Sequence, residues 1–350
     1  MNLFSPKGRH LVGLDVSTTS VKLVELQKQQ GGLHLRSYGI EPLEPGWVVD
    51  KTIVHSEEVG GAIARLLRKS GASSKEAATA VSGSAVITKI IDMEAGLSDS
   101  DREAQIRLDA EQYIPYPLSE VNLDFEVLGP STVNGLVRVL LAASRSENVE
   151  QRVETLSIGG LTTKVMDVES YAIERAFALM MDNLPNDPSV VALIDIGHKQ
   201  MTLYIAKDGE FIYNREQGFG GEQLTEAIQN RYSMPYHDAV IGKHEYTLPA
   251  DYHESVLQPF VESAVQQISR SLQFYFSSSE YNNVDHIVLC GGTAVLPGLA
   301  QMVQERMGSL VSVANPFEGM SVASRINAAA LQKDAPSLMA ACGLALRSFD

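Results

Sequence analysis

Two aspartates stand at equivalent places in a pattern that the chain carries twice. The first copy runs Leu11-Val-Gly-Leu-Asp15-Val-Ser-Thr-Thr-Ser-Val-Lys22-Leu-Val-Glu-Leu26. The second runs Val191-Ala-Leu-Ile-Asp195-Ile-Gly-His-Lys-Gln-Met-Thr202-Leu-Tyr-Ile-Ala206. A carboxylate at a strand end can hold a water of Mg²⁺, an ion that keeps several waters and takes one or two carboxylates plus substrate phosphates. Asp15 and Asp195 are therefore candidate metal-site residues. The hydroxyls and backbone N–H groups of Ser17, Thr18, Thr19 and Ser20 can approach a phosphate closely, and Gly197 offers the same in the second copy. Lys22 and Lys199 add positive charge.

Two further stretches bear on this chemistry. Val288-Leu-Cys-Gly-Gly-Thr-Ala-Val-Leu-Pro-Gly298 reads as a strand, a Gly-Gly turn and a helix start. Gly291 and Gly292 lack a Cβ, so the backbone can lie against a flat ring or a phosphate, with Thr293 beside it. Gly220-Gly221-Glu222 reads as another wall of a base pocket, with Glu222 accepting from a ribose or adenine. Taken singly, each motif is also what an ordinary hairpin or turn looks like. Their combination in one chain points to a phosphate chain held with its metal.

Positioning these residues requires regular elements. Each copy is an apolar run, a short polar turn and a second alternating run, which predicts strand, tight turn, strand. The copies lie 180 residues apart (15 to 195), so a whole domain is duplicated rather than a short repeat. In the first half, strands are predicted over 33–40, 78–81, 86–91, 123–128, 136–142 and 164–168. Helices are predicted over 59–68, 149–158 and 170–180, and between the Ser98–Asp101 capping signal and Pro115. Pro185 and Pro188 mark a linker. The second half adds a strand at 211–215, a helix at 222–231, a long helix at 255–276, a strand at 286–290 and helices at 299–307 and 337–346. In the long helix Leu257, Val261, Ala264, Ile268, Leu272 and Tyr275 recur at steps of three and four, which makes one apolar stripe. Alternating strands and helices predict α/β layering.

Composition narrows the function. The 350 residues suffice for two domains, and 44% apolar content fills substantial cores. A net charge of −15 disfavours general nucleic-acid binding, while leaving room for one nucleotide in a local pocket. Cys290 and Cys342 have no zinc spacing and read as buried packing. The N-terminal stretch has no apolar leader core, and no run reaches the length of a spanning helix. A cytoplasmic protein is expected, with membrane contact only through partners. The eight histidines read as surface or satisfied residues.

The two Asp-turn hairpins with a late Gly-Gly-Thr before a helix resemble the phosphate 1, phosphate 2 and adenosine motifs of the actin-like ATPase superfamily. That superfamily includes actin, heat-shock chaperone ATPases, sugar kinases and bacterial FtsA. Within it, Ala110-Glu-Gln-Tyr-Ile-Pro-Tyr-Pro-Leu118, followed by Asn122-Leu-Asp-Phe-Glu126, resembles a segment of the PilM family of cytoplasmic type IV pilus assembly proteins. The resemblance implies an actin-like ATPase fold, two lobes of duplicated ribonuclease-H-like domains with an FtsA-like 1C insertion. Subdomain 1A would comprise 1–85, 164–189 and 335–350, and 1C would comprise 86–163. Subdomain 2A would comprise 190–225 and 285–334, and 2B would comprise 226–284. Linking helices would lie near 170–178 and 340–346.

The resemblance further implies ATP or ADP with Mg²⁺, and Glu169 as a water-orienting carboxylate. His198 and Lys199 stand where the superfamily usually has small hydroxyl residues, so at most slow hydrolysis is expected. The implied partner is the N-terminal cytoplasmic peptide of PilN, in a groove between 1A and 1C. Contacts with other inner-membrane pilus components and self-association are left open. Two other readings stand beside this one. A sugar-kinase-type phosphotransferase would use Asp167 or Glu169 as base, but no cluster of polar loop residues for a sugar is visible. A pseudo-ATPase scaffold would work through its groove alone. An FtsA-like division protein is disfavoured, because Leu344 to Asp350 forms no basic amphipathic anchor.

Overall fold

The computed structural model describes residues 10–245 and 247–350. The stretch read as lacking a leader, 1–9, lies outside them. Contacts divide the chain into two compact units. The first comprises Met1–Glu25, Tyr38–Ala172 and Arg347–Asp350, and the second comprises Leu26–Ser37 and Ile173–Leu346.

The chain opens with β1 (Leu11–Val16), β2 (Ser20–Gln29) and β3 (Gly32–Pro42), of which β1, the start of β2 and the end of β3 belong to the first unit. A small pair, β4 (Val48–Val49) and β5 (Thr52–Ile53), leads to α1 (Ser56–Ser70) and β6 (Glu76–Val81). Next come β7 (Val86–Glu94), α2 (Asp99–Asp109), β8 (Val121–Pro130), β9 (Leu136–Arg145) and α3 (Ser146–Ile158). β10 (Thr162–Val168) precedes α4 (Glu169–Met181), whose first turn belongs here. The strands β10, β6, β1, β2 and β3 lie side by side, with β6 parallel to both β1 and β10. One core joins Leu14, Val21 and Leu23 of the hairpin to Ile63 and Leu66 of α1 and Leu156 of α3. Full burial of each such side chain contributes about 2 kcal/mol.

A second, three-stranded sheet runs β7-β9-β8, all antiparallel. α2 covers one face, with Ile106 packed on Met93, Val139 and Leu141. Ser98 caps α2, its Oγ accepting from the Asp101 N–H at 3.2 Å. The helix stops at Asp109, earlier than Pro115, and a tighter turn carries 110–112. Tertiary packing decides this, because the turn lets Ala110 and Ile114 bury against Ala143, Ile87 and Val121.

The second unit opens its sheet with β11 (Val190–Ile196), β12 (Met201–Lys207) and β13 (Glu210–Gln217). α5 (Gly221–Tyr232), α6 (Tyr236–Glu245) and α7 (Gln258–Ser278) follow. The chain continues through β14 (His286–Cys290), α8 (Leu299–Met307), β15 (Leu310–Val313), β16 (Ser321–Val322), α9 (Ala328–Asp334) and α10 (Met339–Leu346). Strand order is β15-β14-β11-β12-β13, with β14 parallel to β11 and β15. That matches β10-β6-β1-β2-β3 strand for strand, so the duplicated pattern is a duplicated sheet. The predicted stripe of α7 is buried against this sheet's core. α6 was not predicted, because it has no clean stripe: Ala239 is buried while Ile241, two residues on, is exposed.

Candidate functional site

In the first unit, antiparallel register sets Asp15 of β1 opposite Lys22 of β2. Directly opposite side chains share a face. Lys22 Nζ accordingly donates to Asp15 Oδ2 at 2.9 Å and reaches Ser17 Oγ at 3.4 Å. Both charged side chains are largely buried, at 14% and 13% exposure. Lys22, read from sequence as charge open to phosphate, is thus engaged by Asp15. The turn is closed from within: the Ser17 N–H donates to the Ser20 carbonyl at 3.0 Å, and Ser17 Oγ to the same oxygen at 2.9 Å. Ser20 is buried, while Thr18 and Thr19 are partly exposed.

Glu169 is the first residue of α4 and accepts from Lys51 Nζ at 2.9 Å. Lys51 lies in the β4–β5 turn, where Asp50 and Lys51 both have positive φ, at 48° and 62°. The buried Arg152 of α3 donates to the Lys51 carbonyl at 2.8 Å. Burial lowers the proton affinity of its guanidinium, and the nearby carboxylates of Glu169 and Asp15 oppose that shift. Neither Lys51 nor Arg152 was anticipated. Arg152 lies one helical turn from the buried Leu156 within the predicted helix, a spacing that puts both on one face.

The second unit draws three turns together around one carbonyl. The Gly197 oxygen accepts from the Gly221 N–H and from Thr293 Oγ1, each at 3.0 Å. The Glu222 N–H donates to the His198 carbonyl at 2.8 Å, and the Thr293 N–H to that of Ile196 at 3.1 Å. Gly197, Gly220, Gly221 and Thr293 are therefore one cluster, with Asp195 at the end of its strand. Two of the glycines are required by this packing. A Cβ on Gly220 would stand 2.7 Å from the Gly197 oxygen. Gly291, at φ +85°, would place one 2.5 Å from the Ile196 oxygen and into the Asp195 carboxylate. Gly292 is different, because nothing lies within 4 Å of its Cβ position, so its backbone faces open space.

Besides Asp195, Glu222, Lys199 and Lys243 bring charge to this cluster. Glu222 Oε1 is 3.6 Å from Lys199 Nζ and 3.7 Å from His198 Nε2. Burial first, then Lys243 and Lys199, lowers the His198 pKa to about 4, so its ring is neutral at pH 7 and Lys199 is the partner that matters. Lys243 of α6 donates to Thr225 Oγ1 at 3.0 Å beside Gly221. Burial lowers its pKa to about 8, and no carboxylate among the described residues pairs with it. Cys290, the register partner of Asp195, is buried, and burial together with that carboxylate pushes its thiol pKa up.

A separate cleft of about 210 Å³ lies within the first unit, where the ends of β7, β8 and β9 meet the start of α3. Ile87, Val121 and Ala143 line its apolar part, and Tyr116, Arg145 and Asn148 its polar part. The Arg145 guanidinium sits 5.4 Å from the Tyr116 ring centre.

A family model described as type IV pilus assembly protein PilM matches residues 13–349. The chain belongs to the PilM family. A solved PilM–PilN type IV pilus biogenesis complex contains a chain 28% identical to this one, with a TM-score of 0.80 over 98% of this chain and 99% of that one. The cell division protein FtsA of Bacillus subtilis (strain 168) is 22% identical over 357 residues, covering 87% of this chain and 78% of FtsA. The archaeal actin homologue Ta0583, solved in complex with ADP, has a TM-score of 0.50 at 12% identity, covering 96% and 98% of the two chains. The fold is that of the actin-like ATPases. No described helix of this PilM-family chain is long and apolar enough to cross a membrane.

The residues fit a magnesium nucleotide in part. No group of three or more His, Cys, Asp or Glu among the described residues is placed to hold a metal. One or two carboxylates suffice when phosphate oxygens complete the shell. Asp195 faces Thr202 across its hairpin, and Asp15 faces Lys22. The N–H groups of Gly197, Gly221, Glu222, Gly291 and Thr293 are already bonded within the protein. Lys199, Lys243 and Gly292, whose Cβ position is open, are the groups that a phosphate would meet here.

Proposed function

We propose that this chain is an ATP-binding platform of the type IV pilus inner-membrane complex. The observation that carries the nucleotide reading is Lys243. A partly buried ammonium whose partner is a hydroxyl, beside three knitted turns, is a place prepared for an anion. Asp195 would hold a water of Mg²⁺, and Gly292 would admit the flat base or a phosphate. The ADP complex of the archaeal actin homologue supports this reading. Glu169, held by Lys51, and Asp15, held by Lys22, favour holding nucleotide over rapid turnover.

The PilM–PilN complex supports PilN as partner. In our reading its N-terminal cytoplasmic tail lies in the cleft between the 1C sheet and α3, an apolar residue on Ile87 and Ala143 and a backbone carbonyl on Arg145. Recruitment to the inner face of the inner membrane would follow from that contact.

Denaturing freshly purified protein and identifying released nucleotide by chromatography tests the first part. Stoichiometric ATP or ADP is expected. No nucleotide, together with no heat of binding on Mg-ATP titration, overturns it. For the partner, a peptide copying the PilN tail should shift the amide signals of Ile87, Val121 and Ala143, and silence there removes the cleft assignment.

A further inference from the structure

Among the described residues, α2 covers one face of the β7-β9-β8 sheet, and Ile90 on the other is exposed. Antiparallel sheets with one solvated face normally alternate apolar inward and polar outward. Here the central strand breaks that rule. Val139, Leu141 and Ala143 of β9 point toward α2, yet Leu140 and Ala142 on the opposite face are also apolar. Register places Ile90 of β7 beside Leu140, with Glu126 of β8 on its other side. The next rung is Thr88, Ala142 and Asp124. Ile90 is 50% exposed. The apolar strip is bordered by carboxylates: Asp124 and Glu126 along β8, and Asp92 at the far end beside Arg138. None of the three forms an ion pair with another described residue.

We propose that this outer face docks a basic amphipathic helix of a protein partner, apolar residues on Ile90 and Leu140 and Lys or Arg over Asp124, Glu126 and Asp92. Charge complementarity selects the occupant. The same carboxylates repel an anionic lipid surface, so a membrane is the wrong partner. The face lies opposite α2, and its Ile90–Leu140 rung stands two same-face rungs from Val86 and Ser144, which line the edge of the peptide cleft.

The test uses the full-length chain and a synthetic Leu/Lys peptide of about 18 residues, roughly five helical turns. A scrambled peptide of the same composition is the control. Titration should shift amide signals of β7, β8 and β9 around Ile90 and Leu140, with the scrambled peptide at least about tenfold weaker. Asp124→Lys with Glu126→Lys should weaken binding about tenfold and flatten its salt dependence. Ile90→Asn, at an exposed position, should weaken it without altering thermal stability. Equal binding of both peptides, shifts confined to the cleft, or indifference to all three substitutions overturns the proposal. So does stronger binding of the chain to vesicles of anionic phospholipid than to the peptide.

Discussion

The two hairpin turns occupy the same place in sheets that share one five-strand order, yet their aspartates face different side chains. Opposite Asp15 stands Lys22, and opposite Asp195 stands Thr202. One cross-strand residue therefore decides whether a lysine, at 2.9 Å, or a threonine faces the carboxylate across the hairpin. Duplication supplied two copies of the frame. The residue directly across the hairpin supplied the difference, because register brings that side chain onto the same face.

Four substitutions break or sharpen this contrast. The largest effect is expected from Gly291→Ala, which puts a Cβ against Asp195 and Ile196 at a positive φ. A loss of about 3 kcal/mol in chemical denaturation is expected, against less than about 1 kcal/mol for Gly292→Ala. Similar losses would mean that the turns can part without strain.

Asp195→Ala should weaken Mg-ATP binding by about tenfold or more, and Asp15→Ala by less than about threefold, in titration calorimetry. An Asp15 effect as large as that of Asp195 would erase the distinction drawn between the turns.

Lys243→Met should cost about tenfold in ATP affinity at pH 7 while raising the melting temperature. The sign follows from burial. The folded pKa of about 8 lies below the ordinary 10.5, so the charged form is penalised in the fold. That penalty is present in full below pH 8 and is relieved as pH rises toward 10.5. The stability gain of the variant should therefore shrink over that window. Wild-type ATP affinity should fall as pH rises through about 8, and that of the variant should not.

The smallest effect is expected from Lys22→Thr, which gives the first turn the cross-strand residue of the second. A largely buried pair is broken, so about 1–2 kcal/mol of stability should be lost at neutral pH. Asp15→Asn in the same chain should restore most of it. No recovery in a double-mutant cycle would show that Lys22 acts through packing of its stem.

Legibility in the sequence followed the range of the interaction. The hairpins, the α7 stripe, the Ser98 cap and the Gly-Gly-Thr turn are local patterns, and each lies where the periodicity placed it. α6 was missed because its apolar residues share no face, and with it went Lys243. The β4–β5 turn was missed because two-residue strands have no period to detect, and with it went Lys51, which pairs with Glu169 from 118 residues away.

By itself, then, the sequence determined the duplication, the two aspartate turns, the α/β layering and the family likeness, since these rest on spacing along the chain. Only the tertiary structure decided that Lys22 closes on Asp15, that the Gly197 carbonyl gathers three turns, and that Lys243, partly buried, meets a hydroxyl and no carboxylate among the described residues. Those facts depend on sheet register and on which helix packs over which strand end. Spacing along a chain does not encode distance across a fold.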